Sequence, residues 1–321
     1  MGRFIVRFDK IIMAEILITG GAGFIGGALA ASLAAHSNNK IVIVDNLLTG
    51  SLRKIPVSIH RNIEFVRCDA NDYASMKPIF EKYSFDYVFH YAALVGVKRT
   101  LDHPIEVLRD IDGIKFLLEL SKKNRVKRIY YSSSSEVYGE PVHIPQNEHT
   151  TPLNSRLPYA IVKNVGEAYV RSFEKECGLE YTIFRFFNTY GPNQSEDFVV
   201  SKFIKAALNH HEITIYGDGS QTRTFCYIDD NIATCTSIFA KNLFVNDVVN
   251  IGSDQEISIL ELANAIVKAA NSRSKIVHLP ALEEGDMTRR QPDTTKMKSV
   301  HNQMLSLDQG LRSIIKSWSK N

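Results

Sequence analysis

Apolar and polar positions follow two alternating rhythms through the first half of the chain. Short apolar runs rich in β-branched and aromatic residues have the length and texture of buried strands: EILIT (15–19), KIVIVD (40–45), IEFVRCD (63–69), YVFHYAA (87–93), RIYYSSS (128–134) and YTIFRFFN (181–188). Between them, apolar residues recur every three or four positions, which predicts helices over 23–36, 73–83, 105–123 and 159–177. The last is followed by Gly178, the residue type favoured just past a helix end. Strands alternating with helices predict right-handed βαβ units and an α/β fold, a doubly wound parallel sheet covered on both faces. Beyond about residue 190 the loops lengthen and Gly, Asp, Asn and Pro become more frequent. The pattern therefore predicts a first unit over 13–190 and a smaller C-terminal α/β unit over 191–321. Strands and helices of the second half are free to interleave with the first.

Composition narrows the function. A chain of 321 residues with 44% hydrophobic and 23% charged residues can bury a substantial core. The net charge of +3 comes from scattered Lys and Arg, with no basic tail or stripe to hold a nucleic acid. No apolar run is long enough for a membrane span. Cys68, Cys177, Cys226 and Cys235 form no CxxC pair and no zinc-spaced cluster, so they read as reduced thiols of a cytoplasmic protein. The opening MGRFIVRFDKII lacks the small-residue cleavage site of a signal peptide, and Met13-Ala14-Glu15 reads as a second start.

The first strand runs into TGGAGFIG, where Gly20, Gly23 and Gly26 form G-x-x-G-x-x-G at a strand-to-helix turn, with Phe24 and Ile25 inside it. Glycines let backbone approach a pyrophosphate, and the following helix start offers N–H groups and its positive dipole end. Asp45, next to Asn46, ends the second strand 19 residues after Gly26. A carboxylate there accepts hydrogen bonds from an adenosine ribose and repels a 2′-phosphate, so NAD is expected rather than NADP. Asp69, ending the third strand, and Ala70 after it are expected at the adenine, with a helix cap as the alternative for Asp69. Ala92, near the end of the fourth strand, completes the expected cofactor wall.

Tyr159 and Lys163 lie four apart in YAIVK, on one helix face. A free phenol, with a pKa of about 10, is too weakly acidic to serve as a base at neutral pH. A neighbouring ammonium and a positive nicotinamide are expected to lower it, and both residues can also hold the cofactor.

TGGAGFIG, SSSSEVYG, YAIVK and RFFNTYGP, in this order, resemble the extended short-chain dehydrogenase/reductases that modify nucleotide sugars. The resemblance covers nearly all of 13–321. It implies a Rossmann domain with a C-terminal substrate domain, and Ser134, Tyr159 and Lys163 as catalytic residues. It implies Asn188 and Val199 at the substrate, with Arg223, in GDGSQTRTFCYIDD, and Arg289, in EEGDMTRRQPDTTK, on a diphosphate. It also implies a homodimer with a four-helix interface, a UDP-sugar substrate and tightly held NAD. In such enzymes Ser134 binds the sugar 4-hydroxyl, Tyr159 takes its proton and NAD oxidises C4. A C4 ketone acidifies the C5 hydrogen and turns a C6 carboxylate into a β-keto acid. The residues beside C5 then decide the reaction. Here they are Ser135 and Glu136, where 4,6-dehydratases of the family carry Asp-Glu. Ser-Glu is shared with UDP-glucuronic acid decarboxylases, whereas AALVGVKRT after the fourth strand is closer to epimerases. The expectation is acid/base chemistry by Glu136 at C5, of dehydratase, isomerase or 5-epimerase type. Decarboxylation, plain 4-epimerisation, a net dehydrogenase and a non-enzymatic NAD or nucleotide-sugar sensor are the alternatives. A structural role for Glu136, bonded to nearby backbone N–H groups, is the competing reading of that residue.

Overall fold

The computed structural model describes residues 13–281 and 288–319. The upstream-start expectation for 1–12 and the 283–287 part of the second arginine segment lie outside the described residues. Seven parallel strands form the central sheet: β1 (Glu15–Thr19), β2 (Lys40–Asp45), β3 (Ile63–Arg67), β4 (Tyr87–His90), β5 (Arg128–Ser134), β6 (Glu180–Phe186) and β7 (Asp247–Ile251). Their order is β3-β2-β1-β4-β5-β6-β7. The expected α/β class and doubly wound sheet are thus present.

Alternation along the strands divides the core in two. Ile16, Ile18, Ile41 and Ile43 enter one cluster, while Leu17, Val42 and Val44 enter the other. Successive side chains point to opposite faces, so a continuous apolar run is what a sheet covered on both sides requires. α1 (Phe24–Ala34) packs over the first face, and α2 (Tyr73–Lys82), α3 (Asp110–Lys123) and α4 (Pro158–Cys177) over the second. After β6 come α5 (Val199–Leu208) and α6 (Ile228–Ala240), the latter against α1.

Three local departures from the expected pattern matter to the site. The strand expected over 87–93 ends at His90, and the chain then folds so that Ala92 meets Gly20. The helix expected over 105–123 is broken at Arg109, with one short helix over Pro104–Leu108 and α3 starting afresh at Asp110. Pro104 suits a first helical turn, and Asp110 and Asp112 put negative charge at the positive end of α3. The second half of the chain also contributes β7 and α6 to the large layered body. Its remaining strands form small pairs, Ile213–Tyr216 with Ile276–Leu279 and Thr222–Thr224 with Glu256–Ser258. Among the described residues no helix is long and apolar enough to cross a membrane.

Candidate active site

β1 lies between β2 and β4, so the connections leave in opposite directions and open a crevice at the carboxyl ends of the strands. A cavity of about 600 Å³ fills this crevice. At one end it is lined by Gly20, Gly23, Phe24, Ile25 and Gly26, with Asp45, Asn46, Asp69, Ala70 and Ala92 around them. At the other it is lined by Ser134, Ser135, Glu136, Tyr159 and Lys163, then Asn188 and Val199.

The glycine turn has no room for side chains. Gly20 has φ +70°, and a Cβ there would sit 2.6 Å from the Ala92 nitrogen. A Cβ on Gly26 would lie 2.3 Å from the Gly20 carbonyl oxygen. α1 starts directly after Gly23, which brings no side-chain cap, so its first N–H groups are available to an anion. Asp45 is held at the rim by the N–H of Ala22 (3.0 Å) and of Leu47 (2.8 Å). Asp69 accepts from the Asn71 N–H at 3.0 Å, whereas the cap of α2 is Asp72, which accepts from the Ala74 N–H. The alternative role weighed for Asp69 therefore belongs to Asp72. Backbone donors at a helix start, with a carboxylate at the tip of the second strand, fit a dinucleotide.

At the other end, the serines of β5 have separate partners. Lys163 Nζ donates to the Ser132 carbonyl at 2.7 Å and to its hydroxyl at 3.3 Å. Ser133 turns away and donates to Glu167 at 2.6 Å. Ser134 accepts from the Glu136 N–H at 3.2 Å, capping the single turn Ser135–Tyr138. Burial lowers the Lys163 pKa to about 8, against the opposing pull of Asp110. The expected lowering of the Tyr159 pKa is not found in the protein itself. Burial and the Glu136 carboxylate hold the phenol above its ordinary value, outweighing the opposite influence of the Ser134 hydroxyl and Arg290. Lys163 lies 5.7 Å from the centre of the Tyr159 ring and spends its short contact on Ser132. A positive nicotinamide is the contribution that opposes burial.

Arg290 is the residue that sequence reasoning missed. It lines the cavity, and its Nη1 lies 2.7 Å from Glu136 Oε1, with the two side chains 7% and 21% exposed. Glu136 Oε2 is buried, with no hydrogen-bond partner among the described residues. Arg289, named from sequence for the diphosphate, is not among the lining residues. It is exposed, and its guanidinium sits on Glu256 at 3.0 and 2.5 Å. Neighbouring side chains on an extended segment point in opposite directions, so the adjacent arginines part ways. Arg223 is buried with Nη1 on the Thr222 carbonyl (2.8 Å), and Phe225 rather than Arg223 reaches the cavity. Asn188 donates to the Thr224 carbonyl at 2.9 Å. Asp110, also missed, is a buried carboxyl on the cavity wall that accepts from the Leu94 N–H and from Asn71, both at 2.8 Å. Burial raises its pKa. In sequence it reads as an ordinary acid near a helix start.

Residues 16–252 match the family model described as the NAD dependent epimerase/dehydratase family. A UDP-N-acetyl-alpha-D-glucosaminuronate decarboxylase of Bacillus cytotoxicus is 36% identical over 317 residues, covering 93% of this chain and 96% of that one. A UDP-glucuronic acid decarboxylase 1 of Danio rerio is 34% identical, covering 95% of this chain and 73% of that one. The crystal structure of a UDP-glucose 4-epimerase from Thermotoga maritima with UDP-glucose has a TM-score of 0.88 at 32% identity, covering 95% and 99%. A UDP-glucose 4-epimerase of Thermus thermophilus in complex with NAD has a TM-score of 0.87 at 25% identity, again covering 95% and 99%. With the glycine turn, the Tyr159–Lys163 helix face and relatives matched over nearly the whole chain, this protein belongs to the NAD dependent epimerase/dehydratase family.

Proposed function

We propose that this enzyme decarboxylates a UDP-linked uronic acid through a 4-keto sugar, with Glu136 supplying the proton that C5 requires. The observation that carries the reading is the Glu136–Arg290 pair on the wall of the cavity, beside Ser134 and Tyr159. The pair supports the acid/base role expected for Glu136 at C5, and the cation beside it favours decarboxylation, the first alternative, over the dehydratase, isomerase or 5-epimerase chemistry expected from sequence. Two of the relatives similar to this chain are named as decarboxylases of nucleotide-linked uronic acids.

NAD, held by the Gly20–Gly26 turn, Asp45 and Lys163, would supply reversible hydride transfer at C4, so it is expected to be recycled and to stay bound. Ser134 holds the 4-hydroxyl and Tyr159 removes its proton. The C6 carboxylate is then β to a ketone. The C5–C6 bond breaks, carbon dioxide leaves, and the electron pair forms an enolate across C4 and C5. Arg290 gives the C6 carboxylate a fixed cation and so orients that bond. Glu136, on the same wall of the cavity as Arg290, is the group placed to pass a proton to C5. Asn188 and Val199, on the cavity wall, are the proposed contacts of the sugar nucleotide, whereas Arg223 does not line the cavity.

α3 and α4, packed on each other, are the helices a four-helix homodimer interface would use, and the exposed Ile161 lies on α4. Four free cysteines suit a reducing cytoplasm.

The test is product analysis by proton NMR with UDP-glucuronic acid, UDP-N-acetylglucosaminuronic acid and UDP-glucose. A UDP-pentose, or its N-acetylated counterpart, with release of carbon dioxide is the expected result. Inversion at C4 of UDP-glucose, with both uronic acids left intact, would overturn the proposal in favour of a 4-epimerase.

A further inference from the structure

Glu136 and Arg290 come from distant parts of the chain, and neither is placed by its partner alone. Glu136 sits in the single turn Ser135–Tyr138 that follows β5. Arg290 sits in a segment without helix or long strand, pinned just beyond the arginine. There the Gln146 N–H donates to the Gln291 carbonyl at 2.7 Å, and the Asp293 N–H donates to the Gln146 carbonyl at 2.8 Å. The Gln146 carbonyl also accepts from Asn250 Nδ2 at 2.8 Å. Asn250, on β7, in turn accepts at Oδ1 from the Tyr138 hydroxyl at 2.7 Å. Tyr138 is the last residue of the turn that carries Glu136. The bonds therefore close a ring: from Glu136 along its turn to Tyr138, through Asn250 and Gln146 to the 290–293 segment, and back across the 2.7 Å ion pair.

The middle of the ring is buried and braced from behind. Tyr138, Asn250 and Gln146 are buried. Arg185 Nη1 donates to the Tyr138 hydroxyl at 2.8 Å and to the Glu148 carbonyl at 3.1 Å. The rest of its guanidinium is bound by Glu167 at 2.8 and 2.6 Å, and Glu167 also receives the Ser133 hydroxyl. A buried ion pair is a poor source of stability compared with apolar packing of the same volume. A network of this kind gives fixed geometry, and its two ends here are the residues facing the substrate.

The geometry points to Tyr138 as a positioning residue: through its hydroxyl, the buried ring with Asn250 and Gln146 sets the spacing of Glu136 and Arg290. Tyr138 is not among the residues lining the cavity, so it acts on the C5 step without touching the sugar. This inference rests on the proposed roles of Glu136 and Arg290.

The test uses the NAD-loaded full chain. Tyr138→Phe removes the hydroxyl and little else, and Asn250→Asp keeps the acceptor for Tyr138 while losing the donor to Gln146. Each is expected to lower kcat on the uronic acid substrate about tenfold or more with KM changed less than about threefold, because displacement on the order of 1 Å is costly to a reacting pair. NAD content should match the wild type. Combining Tyr138→Phe with Arg290→Ala should cost no more than Arg290→Ala alone. Wild-type kcat in both single variants, beside an inactive Arg290→Ala, would overturn the inference and leave the proposed function standing. Strict additivity in the double variant would also overturn it, since a general structural role would act independently of Arg290. Wild-type turnover by Arg290→Ala itself would instead remove the proposed function on which the inference depends.

Discussion

Glu136→Gln separates acid/base chemistry from binding, because the amide keeps the side chain's volume and still offers Arg290 an oxygen. What it lacks is the proton assigned to C5. A positioned general acid is worth about 10²- to 10⁴-fold, or about 2.7 to 5.5 kcal/mol of barrier at ~1.4 kcal/mol per tenfold. The Glu136 side chain is 21% exposed, so water can partly stand in for the lost donor and the lower end of that range applies. Decarboxylation should slow about 100-fold in kcat. KM for the uronic acid should not rise. Arg290, with a side chain only 7% exposed, loses its carboxylate partner and becomes a better site for the C6 carboxylate of the substrate. KM should therefore stay level or fall. The assay is carbon dioxide release measured against UDP-uronate concentration, with pentose formation followed by proton NMR. A kcat within about threefold of wild type would refute the reasoning. So would a raised KM with unchanged kcat, which would make Glu136 a residue of uniform binding.

Other measurements check neighbouring parts of the account. Arg290→Ala should lower kcat/KM about 100-fold or more, the cost of losing a charge-assisted contact of about 3 kcal/mol, while the exposed Arg289→Ala should stay within about twofold; equal losses would place both arginines at the substrate. Burial lowers the Lys163 pKa to about 8, so the ammonium is present below that pH and lost above it. The profile of kcat/KM should accordingly fall as pH rises through about 8, and a profile flat to pH 10 would contradict the role given to Lys163. Glu167→Ala leaves Arg185 buried with its main partner gone and should cost about 3–5 kcal/mol, read as a lower urea midpoint at unchanged slope; a midpoint equal to wild type would show that the pair is not needed for stability.

Features legible in the sequence are those that depend on neighbours along the chain. The period of two along Ile16–Ile18 and Ile41–Val44, the crowded Gly20–Gly26 turn and the four-residue spacing of Tyr159 and Lys163 all follow from local backbone geometry. The missed features depend on contacts between distant segments. Adjacent arginines in RRQPD look alike until the bond between Gln291 and Gln146 shows which one faces the cavity. Helix capping passes from Asp69 to Asp72 because α2 begins at Tyr73. The raised pKa of Tyr159 reflects burial and the approach of Glu136, neither of which can be read from YAIVK. The serine run shows both cases: Ser134 lines the cavity beside Glu136, whereas Ser133 belongs to the Glu167–Arg185 network behind the site.

The decisive experiment is turnover of a UDP-linked uronic acid by the wild-type enzyme in heavy water, with the position of deuterium read by proton NMR. Loss of C6 as carbon dioxide, and one solvent deuterium among the two hydrogens at C5 of the pentose, is the result expected if Glu136 protonates C5 beside Arg290. A product that retains C6, carries only its original hydrogen at C5 and is inverted at C4 would contradict it.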